Sequence, residues 1–382
     1  MKIVFIGDNL SIHQKPLSDR LFSLLGKDYL FVGTKPIAQE RINMGWSDYT
    51  KESLYAVYTT QENKKYIERK IDEADAVIIG AASTAWIRKR LKDGKLVFRY
   101  QERPFKRNKF FEWFNPKALV GIFRSSIIWQ RKNYHLLAAS AYAYNDFSRF
   151  FCFKNKAWKF GYFIEPIQTQ FFCRDNNVVQ VSWVGRLIKW KHCEMVIEAA
   201  KFLKDQGVAA HFNIIGQGPL EGSIISKIQD FGLKDNITLY RSKSNHDVRE
   251  FLKNSDIHLI TSDSNEGWGV VTNEAMSAGC CVISSKQTGA APFLIQHKKN
   301  GLLFDVEKQD QLNNFLKEAV LDKNFRDILG SNAIKTMATT WSAQNAAEKL
   351  INLIKKLQQG ISYNKALIYL QEPCSPAGII KL

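Results

Sequence analysis

Three observations predict an α/β chain built from two doubly wound parallel-sheet domains. Short runs rich in Val, Ile, Leu and Phe alternate with amphipathic stretches along almost all of the 382 residues, the pattern of parallel strands joined by crossover helices. The length exceeds what one ordinary core organises, so two domains of roughly 150–200 residues are expected. The periodicity lapses once, near FIEPIQTQFFCRDNN (163–177), where Pro166 interrupts it, and a hinge is placed there. The expected division is 1–168, 169–350, and a C-terminal helix and tail, 351–382, packing back toward the N-terminal domain.

In the first half, KIVFIG (2–7), YLFVG (29–33), DAVIIG (75–80), KLVFRY (95–100) and HLLAAS (135–140) have the β-branched and aromatic content of strands. PLSDRLFSLLG (16–26) and ENKKYIERKIDEA (62–74) show helical spacing between them. The second half is more regular. VQVSWVG (179–185), HFNIIG (211–216), NITLYR (236–241), DIHLITS (256–262), CVISS (281–285) and NGLLFD (300–305) are expected strands. Helices separate most of them, such as KHCEMVIEAAKFLKDQG (191–207), which stops at a glycine, and SAQNAAEKLINLIKKLQQG (342–360) does the same near the end.

Composition narrows the function classes. Hydrophobic content of 45% and aromatic content of 12% exclude a disordered chain. The apolar run at the N-terminus is too short for a signal-peptide core, and no run approaches the 18 or so residues of a membrane span. The six cysteines form no CxxC pair, which suits reduced, buried thiols in the cytosol.

Charge is the other signal. With 54 Lys and Arg against 37 Asp and Glu, the net charge is +17. The excess concentrates between Arg99 and Lys159, where 13 basic residues meet 3 acids among interleaved aromatics. A solvated basic face, an anionic membrane surface and a nucleic acid all fit such a stretch. Nucleic acid is the weakest fit and is left out of the expected partners.

Three loops carry candidate chemistry. VGRLIKWKHCEM (184–195) places Arg186 and Lys191 between a strand and its helix, a planar fork and a mobile point charge suited to phosphate oxygens. GQGP (216–219) makes a tight turn after the next strand; it lacks the spacing of a dinucleotide or Walker motif. In EGWGVVTNEAM (266–276), Gly267 and Gly269 precede a helix expected from about Val270, where free backbone N–H groups suit an anion. Glu266 and Glu274 suit paired hydroxyls. Cations for a diphosphate and carboxylates for diols are together the chemistry of a nucleotide sugar.

From about 179 to 350 the chain resembles the C-terminal domain of glycosyltransferase family 4, the retaining group 1 enzymes. VGRLIKWK, IIGQGP, SDIHLITS, EGWGVVTNEAMSAG, CCVISS and NGLLF follow one another in the family's order, and Glu266 and Glu274 match its glutamate pair. The resemblance implies the GT-B fold, two Rossmann-like domains facing a cleft. It implies that Arg186 and Lys191 neutralise the donor diphosphate, that Glu266 contacts the transferred sugar, and that Glu274 binds the ribose. Gly185, Gly216, Gly218, Gly267, Gly269, Val270 and Val271 would line the donor with backbone, joined by Gly7 from the N-terminal domain.

The N-terminal half matches less well. In GDNLSIHQKP (7–16), His13 is a candidate for acceptor contact or proton relay. YQERPFKR (100–107) stands where many relatives carry a catalytic histidine, leaving Glu102 and Arg103 as acceptor candidates. Cys281 replaces the usual proline, and QTGAAPFLI (287–295) lacks an acid often found there; that turn resembles members that build bacterial surface polysaccharide.

No Asp-x-Asp occurs, so neither a metal nor a cofactor is expected; the nucleotide sugar is a co-substrate. The expected acceptor is a glycan or lipid-linked glycan, and the expected location is the cytoplasm, peripheral at the inner face of the plasma membrane through the 99–159 region. The alternatives are a non-catalytic basic binding protein for membrane or nucleic acid, and a sugar-nucleotide epimerase of the same fold.

Overall fold

The computed structural model describes residues 1–43, 46–105, 116–167, 177–241 and 244–381. The described chain divides into two compact units, Met1–Glu165 with Trp341–Lys381, and Pro166–Thr340. The chain thus rejoins the first unit at Trp341, nine residues before the 350 boundary expected from sequence. Residues 168–176, which hold most of the expected hinge, the 168/169 boundary and Cys173, lie outside the described residues. So does 106–115 of the basic stretch.

The first unit holds a seven-stranded sheet of β1 Ile3–Gly7, β2 Tyr29–Gly33, β3 Ala56–Tyr58, β4 Ala76–Ile79, β5 Val97–Gln101, β6 Tyr134–Ala138 and β7 Ala157–Lys159. Their spatial order is β3-β2-β1-β4-β5-β6-β7, and every pairing is parallel. The central strands β1 and β4 are buried along their whole length, which is why they read as unbroken apolar runs. Sequence reading missed β3 and β7. Both are three-residue edge strands, AVY and AWK, too short to show a period. The helix Lys15–Leu25 packs against the helix Ala343–Gln358, so the late helix belongs to the first unit. The tail then lies along β7, with Cys374 N–H donating to the Lys159 carbonyl and Lys159 N–H to that of Ser375.

The second unit holds six strands, β8 Val179–Val184, β9 Ala210–Ile215, β10 Ile237–Tyr240, β11 Ile257–Ile260, β12 Cys281–Ser285 and β13 Leu302–Phe304. They are ordered β10-β9-β8-β11-β12-β13 and again all parallel. Its core joins Val181, Trp183, Phe212, Ile214, Leu259 and Ile283 from the sheet to Val196, Ala200 and Leu203 on the helix Cys193–Asp205 and to Leu312 and Leu316. Cys281 opens β12 fully buried. Cys152, Cys193, Cys280, Cys281 and Cys374 are all buried, and none of these described cysteines forms a disulfide.

Strand order decides where a ligand can sit. In the second unit the direction of winding reverses between β8 and β11, and the carboxyl edge at such a reversal is where sheets of this kind bind ligands. The loop after β8 carries Arg186 and Lys191. That after β11 carries Glu266.

Candidate functional site

The loops after β8 and β9 lock together through glycine. The Gly185 N–H donates to Ile215 and the Leu187 N–H to Gln217. A Cβ on Gly216 would lie 1.9 Å from the Gly185 oxygen, so no side chain fits there. A Cβ on Gly218 would lie 2.5 Å from the Leu187 oxygen. This contact holds the turn bearing Arg186, whose exposed guanidinium stands over the Trp190 ring at 5.8 Å.

Lys191 points to the other loop and forms an ion pair with Glu266. Glu266 also accepts from the Ser262 hydroxyl at 3.2 Å. Gly267 is buried, and Gly269 turns the chain with φ +85°, a conformation that glycine adopts without penalty. The turn after β12 closes over it. Thr288 would meet any Cβ on Gly269 at 2.8 Å, and the Ala290 N–H donates to the Trp268 carbonyl. The helix Val271–Ser277 follows directly, with Val270 as the residue before it.

Glu274 sits in the first turn of that helix with its side chain 5% exposed. Asn245, which opens the helix Asn245–Lys253 beyond β10, donates to its carboxylate at 2.9 Å. Burial pushes the Glu274 carboxyl above the ordinary glutamate range; the Asn245 hydrogen bond and the charge of Arg249 pull it partly back. A buried carboxylate with one donor keeps acceptor capacity for hydroxyl groups.

Sequence reading overlooked Thr261, His192 and Asn245. Thr261 accepts from Trp183 Nε1 and donates to the Lys191 carbonyl at 2.6 Å. His192 bridges Glu194 and Asp263. Asn245 holds Glu274. His192 and Thr261 lie inside the quoted stretches VGRLIKWKHCEM and SDIHLITS, and a histidine directly after a candidate phosphate-binding lysine was a visible signal; Asn245 lies in no such stretch.

The first unit gathers other candidates. Gly7 ends β1, opposite Gly33 on β2. His13 lies in the loop beyond, its ring edge-on to Trp46 at 5.6 Å and tilted to Tyr162 at 6.0 Å. Burial, with Arg41 nearby, lowers its pKa to about 4, so its imidazole is neutral at physiological pH. Glu102 accepts from the Tyr162 hydroxyl at 2.9 Å. Arg103 is different. Its side chain is 3% exposed and engages Asp146, itself 0% exposed, through two nitrogens. The Phe105 N–H donates to the same carboxylate. The acceptor role expected for Arg103 has no exposed group to act through. It is a buried structural ion pair, invisible to sequence reading because its partner lies 43 residues away.

Two Rossmann-like parallel-sheet units, with a cation–carboxylate cluster on the carboxyl edge of the second, define a protein of the GT-B fold. Solved structures share it over nearly the whole chain. Anabaena HepE in complex with UDP covers 93% of the chain and 100% of its own, with TM-score 0.69 at 14% identity; a glycosyltransferase from Rickettsia africae covers 94% and 99%, with TM-score 0.66 at 14% identity. Residues 172–336 match the family Glycosyl transferases group 1. The amylovoran biosynthesis glycosyltransferase AmsK of Erwinia amylovora is 34% identical over 147 residues, 37% of this chain and 36% of that protein. The capsular polysaccharide biosynthesis glycosyltransferase CapM of Staphylococcus aureus is 26% identical over 198 residues, 48% and 51%. The matched stretches thus span about a third to a half of these relatives.

Proposed function

We propose that the protein transfers a sugar from a nucleotide-diphosphate sugar to a glycan or lipid-linked acceptor, with retention of anomeric configuration, in bacterial capsule, exopolysaccharide or related surface-polysaccharide synthesis. The observation that carries this reading is the placement of Arg186 and the Lys191–Glu266 pair on loops at the carboxyl edge of one sheet, with Glu274 in the first turn of the helix that follows, in a segment that matches a glycosyltransferase family. The biosynthetic roles named for AmsK and CapM support the pathway class.

In the reaction, the bond from the anomeric carbon to the diphosphate breaks and its electron pair leaves with the diphosphate oxygen. Arg186 and Lys191 face the charge that develops there, so they favour the transition state over the bound donor. The backbone of Gly185, Gly216, Gly218, Gly267, Gly269, Val270 and Val271 lines the donor without side chains in the way. Glu266 contacts the transferred sugar while orienting Lys191, and Glu274 takes the ribose hydroxyls. The acceptor oxygen bonds to the anomeric carbon on the same face, and its proton passes to a diphosphate oxygen. Two protein cations do the neutralising, so the reading requires neither metal nor cofactor. In this reading Gly7 serves donor binding, and His13 and Glu102 serve the acceptor.

The same reading puts the protein at an anionic bilayer surface from the cytoplasmic side. Val120 and Phe123, on the helix Pro116–Ser125, and Ile128 just after it are about half exposed. Arg124, Arg131 and Lys132 are exposed beside them, the combination that inserts apolar groups under anionic headgroups. Among the described residues no helix is long and apolar enough to cross a membrane.

Calorimetric titration with UDP and GDP tests the donor site. Wild type binds at least one of them, and Arg186→Ala and Glu274→Ala each reduce that binding at least tenfold. Unchanged binding in both variants defeats the reading. Sedimentation with phosphatidylglycerol vesicles tests the membrane part: charge reversal at Arg124, Arg131 and Lys132 releases the protein, and retained binding removes that part alone.

A further inference from the structure

His192 follows Lys191 in a backbone conformation that disfavours it. Its φ is +47°, in the left-handed region that side chains other than glycine rarely adopt. What holds it there is its ring. Nδ1 lies 2.8 Å from a Glu194 oxygen and Nε2 lies 3.3 Å from Asp263. A neutral imidazole donates from one nitrogen only, so a ring with a carboxylate at each end is held as imidazolium.

Asp263 is the hub of the loop after β11. Its N–H donates to the Trp190 carbonyl at 2.9 Å, and its own carbonyl accepts from the Glu266 N–H at 3.1 Å. The other carboxylate oxygen takes both the N–H and the side-chain amide of Asn265 at 2.7 Å. Thr261, two residues earlier, donates to the Lys191 carbonyl. Lys191 and Glu266 therefore hang from one frame. The His192 ring is the strut that ties it to the helix beginning at Cys193.

We infer that His192 is a positioning residue: its imidazolium braces the turn after β8 against the loop after β11 and so holds Lys191 where the donor diphosphate binds. The inference rests on the proposed donor site. Hydrogen bonds to Asp263 first and Glu194 second raise the His192 pKa to about 9. With the pKa raised, the brace is fully charged at neutral pH and is lost as pH climbs through about 9. The other charged groups around it are Lys189 and Lys191 on its own turn, Glu266 paired with Lys191, and Lys227, whose charge bears on Glu194.

The test compares wild type with His192→Gly and His192→Gln, using UDP and GDP as probes in calorimetry from about pH 7 to about pH 10. Glycine occupies the left-handed position without strain, so that variant removes the ring and keeps the turn. The expected result is diphosphate binding about tenfold weaker in both variants at neutral pH, with the wild-type advantage shrinking toward nothing above about pH 9. The variants supply the baseline in which titration of the nucleotide and of Lys191 cancels. A wild-type advantage that stays constant with pH, or none at all, overturns the inference while leaving the donor site standing. Failure of wild type to bind either nucleotide overturns the donor site and the inference together.

Discussion

Gly216→Ala should damage the second unit out of proportion to the single methyl group added. The new Cβ would lie 1.9 Å from the Gly185 oxygen and 3.1 Å from its carbonyl carbon, whereas a comfortable carbon–oxygen contact is about 3.3 Å. The two loops must separate by about 1.4 Å, and both are main chain at the ends of paired strands, with little freedom to yield. Overpacking of this kind costs about 3 kcal/mol, which in a unit of this size lowers the melting temperature by roughly 6–12 °C. The displaced turn carries Arg186, so diphosphate binding should fall as well. Gly222 is the internal control. It lies on the helix Glu221–Asp230 with nothing within 4 Å of a Cβ, and Gly222→Ala should raise stability by about 0.5 kcal/mol. Differential scanning calorimetry of the two variants decides the matter: equal melting temperatures, or a Gly216→Ala protein that melts with wild type, refute the steric argument.

Two further perturbations separate stability from ligand binding. Glu274→Gln removes a carboxyl that burial holds in its protonated form more readily than in the unfolded chain. The wild-type group costs stability as pH rises above the ordinary glutamate range, so the variant should be more stable by about 0.5–2 kcal/mol at neutral pH while binding nucleotide more weakly; thermal melts with and without UDP or GDP measure both signs. Arg103→Met strands a buried Asp146 carboxylate and should destabilise the first unit by about 3–5 kcal/mol without altering nucleotide affinity. The double change with Asp146→Asn should recover part of the loss in the same melts.

Local pattern and motif order determined much about this protein from the sequence alone. The fully buried strands β1, β4 and β11 announce themselves because a strand covered on both faces needs apolar residues throughout. Arg186, Lys191, Glu266 and Glu274 stand out as candidates in the sequence because each lies in a short motif beside a glycine turn or helix start. The edge strands β3 and β7 were not legible, since three residues carry no period. Tertiary structure alone decided the rest. Arg103 and Asp146 are far apart in sequence and owe their roles to each other. Thr261, Asp263 and His192 become a frame only when β8 and β11 lie side by side, and Asn245 reaches Glu274 only from the far side of β10. Parallel pairing brings together loops some seventy residues apart; neither loop contains the information that the other will be there.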